Sequence, residues 1–145
     1  MHRNPAPTVD VAVMDGERLL LVKRRNDPYK NRWVLPGGFV EYDETVEYAA
    51  AREVLEETGV QIRLESILGV YSDPERDPRG HTLTTVFIGR PVAGKPVGGD
   101  DAADAFWVDI ESLDTSKLAF DHSLIVEDLK RWLKENSTFW SGKKR

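Results

Sequence analysis

The feature of this sequence that most constrains its fold is a predicted helix, residues 45–58, whose apolar face ends in acidic side chains. With about 100° between successive residues, its valines and alanines form a stripe suited to packing against a sheet. Glu53 and Glu57 fall in the middle of that stripe, and Glu56 lies at its edge. Burying ionised carboxylates without partners costs several kcal/mol, so these acids must be neutralised, paired or bound to a metal. Arg52 is placed to pair with Glu56, but one arginine cannot neutralise three acids.

Three carboxylates that converge from one helix form an oxygen-rich site of the kind that Mg²⁺ and Mn²⁺ prefer. Such ions usually keep open positions for water and for the phosphates of a substrate. The alternative is a solvent-exposed acidic helix end, which does not explain why the acids interrupt the apolar stripe. The helix therefore favours a divalent metal site.

Charge is distributed unevenly along the chain, which has a net charge of −5. Residues 41–57 hold seven acids and one base, and residues 100–114 hold six acids and no base, so the rest of the chain is net positive. This pattern resembles cation sites beside an anion-binding surface rather than a nucleic-acid footprint. The alternative interpretation is two solvated acidic faces.

Size and composition limit the class of protein. A chain of 145 residues has the usual size of a single domain and can bury a core without disulfides. The absence of cysteine excludes a disulfide scaffold, a thiolate zinc site and a cysteine nucleophile. We find neither an apolar run of membrane-spanning length nor a signal-peptide core, so we expect a cytoplasmic protein that does not contact membranes.

The predicted strands and helices alternate irregularly. Strands are predicted at residues 9–14, 18–23, 60–72, 81–92 and 105–109, and helices at 45–58 and 122–135. The first two strands form a hairpin, because Asp15 and Gly16 between them favour a tight turn. The pattern indicates an α+β fold with a mixed sheet rather than a regular βαβ winding. Residues 136–145 form a polar tail with two aromatic residues and a basic end, and we expect that end, Lys143-Lys144-Arg145, to be disordered.

The predicted helix has well-marked ends. Asp43 or Thr45 is available as its N-cap, and Gly59 is suited to end it. The preceding Pro36-Gly37-Gly38 breaks the regular structure and can bring bare backbone close to a ligand.

Residues 38–60 resemble an uninterrupted Nudix box. Gly38 is followed after five residues by Glu44, and after seven more by the run Arg-Glu-Val-Leu-Glu-Glu-Thr-Gly-Val at 52–60. The surrounding elements resemble the Nudix fold over nearly the whole chain. The resemblance implies one Nudix hydrolase domain over residues 1–145, a Nudix-type α/β/α sandwich with a mixed β-sheet between helices. It also implies divalent-cation-dependent hydrolysis of a nucleoside diphosphate linked to another group.

The same resemblance assigns roles within the box. Glu53, Glu56 and Glu57 are carried over as metal ligands, with the Gly38 carbonyl as a further ligand. Glu44 and Arg52 are carried over as residues that orient the others.

A carboxylate must also accept the proton of the attacking water. Glu53 is one candidate for this general base. Asp100 and Asp101, in the acidic loop that matches the position of the base in some relatives, are the others, although those relatives usually have Glu there. The alternative for the two aspartates is a simple loop turn after Gly98-Gly99.

Substrate choice is expected to depend on residues 71–81, in which Arg76 and Arg79 present fork-shaped donors to phosphate or ribose oxygens. A salt-bridged surface connection is the alternative. The segment, with residues 118–122, is similar to that of ADP-ribose pyrophosphatases, including the Nudix halves of bifunctional NAD-metabolism enzymes and ADP-ribose-sensing regulators. This similarity implies hydrolysis of ADP-ribose to AMP and ribose 5-phosphate.

The candidate substrate-binding residues are Arg25, Trp33, Tyr71, Arg76, Asp77, Arg79, His81 and Phe120. The three aromatic residues either stack on adenine or belong to the core. His81 and His122 either contact phosphate or ribose or are structural.

Two other functions compete with this prediction. A nucleotide-pool enzyme would release pyrophosphate from modified nucleoside triphosphates. A sensor would bind ADP-ribose without cleaving it, but relatives of that kind often have a degraded box, whereas this box is intact. Several members of the resembled group are dimers, so we expect a homodimer.

Overall fold

The computed structural model describes residues 3–99 and 102–145 of the chain. The strands are β1 (Ala6–Asp15), β2 (Arg18–Arg24), β3 (Trp33–Val34), β4 (Gly37–Phe39), β5 (Gln61–Tyr71), β6 (Thr82–Ala93), β7 (Ala102–Asp109) and β8 (Phe139–Trp140). The helices are α1 (Val46–Thr58) and α2 (His122–Glu135), and a short 3₁₀ turn (Thr115–Lys117) precedes α2.

The strands form a mixed sheet, as expected. Its order is β3-β2-β1-β6-β5-β8, with β4 paired to β1 and β7 paired to β2. β1 and β6 run parallel, as do β5 and β8, and the other described pairs are antiparallel.

Strand β1 is buried on both faces, and its side chains alternate between the two helices. Val9, Val11 and Val13 pack in one cluster with the apolar residues of α1. Ala12 and Met14 face the opposite way, into the cluster that includes the apolar residues of α2. This alternation, which follows from the two-residue period of a strand, places the sheet between the helices. The predicted α/β/α arrangement is confirmed.

Helix α1 ends as its sequence predicts. The Thr45 side chain accepts a hydrogen bond from the Tyr48 amide at 3.1 Å, so Thr45 rather than Asp43 is the N-cap. Gly59 has a φ of 75° and donates its amide hydrogen to the Leu55 carbonyl at 2.9 Å. Only glycine adopts this left-handed conformation without strain, which is why the helix stops there.

The prediction of a disordered end at residues 143–145 was wrong for Arg145, which forms an ion pair with Asp128 of α2. The polar tail before it adds β8 to the edge of the sheet, a strand that the sequence did not predict. A two-residue strand has no periodicity that a sequence could reveal. Strand β7 also begins three residues before its predicted start. Within the described residues, neither helix has the length and apolarity needed to cross a membrane.

Candidate active site

A cavity of about 520 Å³ opens where the ends of β1 and β2 meet β4, α1 and the start of α2. Another side of the cavity is formed by residues 72–80, which lie in the connection between β5 and β6. We call these residues the arginine loop. Residues on the acidic side include Gly37, Gly38, Glu41, Glu53 and Glu57, and residues on the opposite side include Arg24, Arg76, Asp77, Arg79 and Phe120. The cavity therefore has an acidic wall that faces a basic and aromatic one.

The acidic wall depends on close contact between α1 and β4. The Gly37 amide donates to Glu57 Oε2 at 3.3 Å. A Cβ at Gly38 would collide with the carboxylate of Glu53, and one at Gly37 would collide with the Val9 carbonyl and the Asp10 carboxylate. Position 37 therefore needs glycine, because a side chain there would collide with the backbone of β1, whereas a side chain at Gly38 would have to displace the carboxylate of Glu53.

Arg52 holds the carboxylates of this wall together. Its guanidinium donates to Glu44 at 2.6 and 2.8 Å, to Glu53 at 2.7 Å and to Glu56 at 3.1 Å. It also donates to the carbonyl of Phe39 at 3.1 Å. The hydrogen bond from Arg52 lowers the pKa of Glu44 to about 2, and the bond to Glu44 in turn raises the pKa of Arg52. Arg52 thus spans the box and keeps Glu44 ionised.

The donor set fits a hard divalent cation. Glu53 and Glu57 lie one helical turn apart and both line the cavity, and carboxylate oxygens are the ligands that Mg²⁺ and Mn²⁺ take. The Glu56 side chain is 45% exposed and is turned toward Arg52. Among residues 3–99 and 102–145, no three acidic or histidine side chains are gathered closely enough to hold an ion as they stand. Glu56, the third predicted ligand, is therefore not brought to the cavity lining with Glu53 and Glu57.

The two arginines of the opposite wall are held differently. Arg76 is buried, and its guanidinium donates to both oxygens of Asp121, at 2.9 and 2.8 Å, and to the hydroxyl of Thr82 at 2.6 Å. Burial lowers the pKa of Arg76, but the hydrogen bond to Asp121 and the attraction of the nearby carboxylates of Asp121, Asp10 and Asp77 together raise the pKa above its usual value. Arg79 has a side chain that is 48% exposed, and buried Asp77 accepts from its Nε at 3.1 Å and its Nη2 at 2.8 Å. Arg76 therefore supports the loop, while Arg79 presents charge to the cavity.

Phe120 lies at the meeting point of this wall. Its φ of 54° turns the chain sharply just before α2. The ring packs edge-on against Tyr29, with centroids 4.7 Å apart. The guanidinium carbons of Arg24 and Arg79 lie 5.1 and 5.6 Å from its centroid. Cation–π attraction to both arginines stabilises this placement.

A buried polar group that the sequence analysis missed lies on the floor of the cavity. Asp10 Oδ2 accepts from the Thr84 hydroxyl at 2.7 Å, and its Oδ1 lies 3.9 Å from Nε2 of His122. His122 Nδ1 accepts from the Leu35 amide at 3.0 Å, so the ring proton of the neutral imidazole is on Nε2, toward Asp10. Burial raises the pKa of Asp10 to about 7 and lowers that of His122 to about 4. The signal in the sequence was a single acid within the apolar run of residues 9–14.

Comparison with known proteins decides the family. The NUDIX domain family matches residues 4–129. The chain belongs to the NUDIX family. It is 48% identical over 132 residues to the ADP-ribose pyrophosphatase of Methanocaldococcus jannaschii, a match that covers 91% of this chain and 77% of that relative.

Two solved structures are similar to this NUDIX protein. One is the NUDIX domain of Shewanella oneidensis NrtR complexed with ADP ribose, with 27% identity and a TM-score of 0.78 over 92% of this chain and 91% of that one. The other is a bifunctional NMN adenylyltransferase/ADP ribose pyrophosphatase of Francisella tularensis complexed with AMP and a Mn ion. That pair has 31% identity and a TM-score of 0.76 over 90% of this chain and 42% of the longer one.

Four candidate residues of this NUDIX protein are not among those that line the cavity: Tyr71, His81, Trp33 and Arg25. Tyr71 is fully buried and donates to Asp128 at 2.7 Å, and burial raises its pKa. His81 is exposed, with Nε2 2.8 Å from the Ser72 carbonyl oxygen. Both side chains thus act in the structure of the loop ends.

Trp33 and Arg25 also make structural contacts. Trp33 lines a second cavity, together with Lys23, Arg32 and Lys117, and packs edge-on against a phenylalanine of β7. Arg25 donates to the Ala102 carbonyl at 3.0 Å. Asp100 and Asp101, the candidate bases next to that residue, lie outside the described residues.

Proposed function

We propose that this NUDIX protein hydrolyses the diphosphate of ADP-ribose to AMP and ribose 5-phosphate. The observation that carries the proposal is the cavity itself, in which the carboxylates of Glu53 and Glu57 face Arg79 and Phe120. A diphosphate with a nucleoside on one side needs this combination of cation-binding acids, an anion-binding arginine and an aromatic surface. The relative from Methanocaldococcus jannaschii and the NrtR domain complexed with ADP ribose support the choice of substrate.

Glu53, Glu56, Glu57 and the Gly38 carbonyl would hold the divalent cation, which we propose to be Mg²⁺, with Mn²⁺ able to replace it. When bound, such ions screen the charge of the diphosphate and lower the pKa of a coordinated water. The Mn ion in the Francisella tularensis structure supports this kind of site.

The protein's own residues bind and orient the substrate. Arg79, held in place by Asp77, donates to the phosphate oxygens. The Phe120 ring offers a stacking surface for the adenine. Arg52 orients Glu53 through their 2.7 Å contact and Glu44 through two more.

Hydrolysis adds water across the bridge between the phosphates. The water oxygen bonds to one phosphorus, the bond from that phosphorus to the bridging oxygen breaks, and a carboxylate accepts the water's proton. Glu53 is one candidate for this base because it lines the cavity. Asp100 and Asp101 are the alternatives, and single substitution of each of the three by its amide tests them.

The deciding experiment is chromatography of the products formed from ADP-ribose with and without Mg²⁺. We expect AMP and ribose 5-phosphate only when the metal is present. Intact ADP-ribose together with measurable binding would instead indicate a sensor. Intact ADP-ribose together with pyrophosphate release from a nucleoside triphosphate would indicate a nucleotide-pool enzyme.

We also propose that the protein works in the cytoplasm as a homodimer. Light scattering coupled to size-exclusion chromatography measures the molar mass in solution. A mass equal to that of one chain, 16.4 kDa, would contradict the dimer.

A further inference from the structure

The C-terminal residues 139–145, which we call the strap, are built into the edge of the sheet beside the arginine loop. Phe139 pairs with Gly69 of β5, and its side chain is buried in the main core. A Cβ at Gly69 would collide with the carbonyl oxygen of Phe139. Glycine at this position in β5 is therefore what lets the strap dock so closely.

The far end of the strap is locked to α2. Arg145 donates through Nε and Nη2 to the two oxygens of Asp128, at 2.8 and 2.6 Å. Asp128 is buried and also accepts from the hydroxyl of Tyr71, the last residue of β5. The strap thus closes over the point where β5 gives way to the arginine loop.

Between these two anchors, Ser141 reaches the first residues of the loop. Its hydroxyl oxygen accepts from the amide of Ser72 at 2.8 Å and from the amide of Asp73 at 3.2 Å. The Asp73 carbonyl accepts in turn from the Arg76 amide at 3.0 Å. Two successive hydrogen bonds therefore connect the strap to Arg76, which lines the cavity and pairs with Asp121.

The start of the arginine loop is held from two sides. The amide of Ser72 is bound by Ser141, while the carbonyl of Ser72 lies 2.8 Å from His81 Nε2, at the other end of the loop. Backbone amides in an exposed connection are otherwise satisfied by water and exchange readily. Ser141 replaces water at two adjacent amides and so fixes the direction in which the loop leaves the sheet.

We propose that the strap sets the conformation of the arginine loop and that Ser141 is a positioning residue for substrate binding. The kinetic part of this proposal rests on the proposed function, because the loop is assigned to ADP-ribose there. The structural part does not, since it concerns contacts within the chain alone. The test therefore needs one readout without substrate and one with it.

The first readout is native-state hydrogen exchange of the amides in residues 72–80, compared between wild type, Ser141→Ala and Ser141→Thr. Loss of one hydrogen-bond acceptor should speed exchange of the Ser72 and Asp73 amides about fivefold in Ser141→Ala. Ser141→Thr keeps the hydroxyl and should restore protection. Ser112→Ala, which removes an exposed serine hydroxyl from the turn after β7, is the matched control and should leave these amides unchanged.

The second readout is steady-state hydrolysis of ADP-ribose. We expect Ser141→Ala to raise KM about fivefold with little change in kcat, because a loosened loop binds less well but leaves the acidic wall intact. Ser141→Thr should again behave as wild type. Thermal unfolding of the variants checks that the fold is retained.

Either of two results would overturn the proposal. Unchanged exchange at Ser72 and Asp73 in Ser141→Ala would show that the strap does not order the loop, whatever the protein does with ADP-ribose. Faster exchange with unchanged KM would show that this ordering does not serve binding. If the wild type neither cleaves nor binds ADP-ribose, the proposed function and the binding role both fail, and the exchange comparison still decides the structural part.

Discussion

Arg76 and Asp121 form a two-pronged ion pair, with Nε to Oδ2 at 2.9 Å and Nη2 to Oδ1 at 2.8 Å. Asp121 occupies the N-cap position of α2, yet its side chain makes no capping hydrogen bond to that helix. Its carboxylate is used instead to tie the arginine loop to the start of α2. The pair thus joins the two segments, 71–81 and 118–122, whose similarity to ADP-ribose pyrophosphatases led to the substrate prediction.

Replacing the two loop arginines should give different results. Arg79→Ala should raise KM for ADP-ribose about tenfold, because its charge-assisted hydrogen bonds are expected to be made to substrate. It should also lower stability, because buried Asp77 loses its guanidinium partner. Arg76→Ala should lower the free energy of unfolding by about 2 kcal/mol, because it leaves the carboxylate of Asp121 without its guanidinium partner. Michaelis kinetics and urea unfolding of both variants separate these effects. Equal KM for Arg79→Ala and wild type would contradict a substrate role for Arg79.

The carboxylates of α1 should be essential for turnover but not for folding. Glu53→Gln and Glu57→Gln keep the side-chain shape but remove a charge, and each should lower kcat about 10²–10⁴-fold. Circular dichroism and thermal unfolding should show a retained fold. Near-normal activity in both variants would disprove the assignment of these residues to the metal site. Glu47→Gln, on the first turn of α1, is the matched control and should be fully active.

Removal of the metal should cause a loss of turnover like that expected for Glu53→Gln and Glu57→Gln. Dialysis of wild type against EDTA should abolish hydrolysis of ADP-ribose, and added Mg²⁺ should restore it. Glu53→Gln should need a higher Mg²⁺ concentration for half-maximal activity, because one carboxylate ligand is missing. A metal titration of the remaining activity measures this. Hydrolysis that persists undiminished in EDTA would contradict the proposed mechanism.

The buried His122 should make stability sensitive to acid. Burial lowers its pKa from 6.5 to about 4, so the folded protein keeps it neutral over a pH range in which the unfolded chain takes up a proton. The free energy of unfolding is therefore unaffected by protonation of His122 above pH 6.5. As the pH falls toward 4, protonation of this histidine in the unfolded chain lowers the free energy of unfolding by about 3 kcal/mol in total. Asp10, 3.9 Å away with its pKa raised to about 7, acts in the opposite direction over the same range.

A difference measurement isolates the histidine. His122→Gln lacks the titrating ring, so the stability of wild type relative to this variant should decline as the pH is lowered from 7 to 4. Urea unfolding at several pH values in this range gives the two curves. Parallel curves would mean that His122 has the same pKa in the folded and unfolded states.

The ion pair between Arg145 and Asp128 should contribute strongly to stability. Asp128 is 1% exposed, so Arg145→Met would leave a buried carboxylate with only the Tyr71 hydroxyl as partner. We expect the free energy of unfolding to fall by about 3 kcal/mol. Adding Asp128→Asn to this variant removes the unpaired charge and should recover part of the loss. If Arg145→Met were as stable as wild type, the strap would not be anchored as described.

Local signals explain what could be predicted. The ends of α1 depend on Thr45 and Gly59, each of which acts within a few residues of itself, and the apolar stripe of α1 depends on a fixed period. The Nudix box is likewise one continuous stretch of 23 residues, 38–60. Such features can be predicted from a sequence because the interacting groups are neighbours along the chain.

Contacts between residues that are far apart along the chain could not be predicted from the sequence. Tyr71 and Trp33 were equally good candidates for stacking on adenine, and only the fold shows that Tyr71 bonds to Asp128, 57 residues away, and that Trp33 lines a different cavity. Asp10 was overlooked because an isolated acid in an apolar strand has no partner in its own neighbourhood. Its partners, Thr84 and His122, are 74 and 112 residues further along the chain.

By itself, the sequence indicated the class of this protein through its resemblance to the Nudix box. It also determined the helix that carries the carboxylates and the glycines that let backbone approach them, since these follow from periodicity and local conformation. The tertiary structure alone decided which arginine supports the loop and which faces the cavity, and that residues 139–145 fold onto the sheet. Those outcomes depend on which strands become neighbours, because a hydrogen bond such as that from the Ser72 amide to Ser141 exists only once β5 and β8 lie side by side.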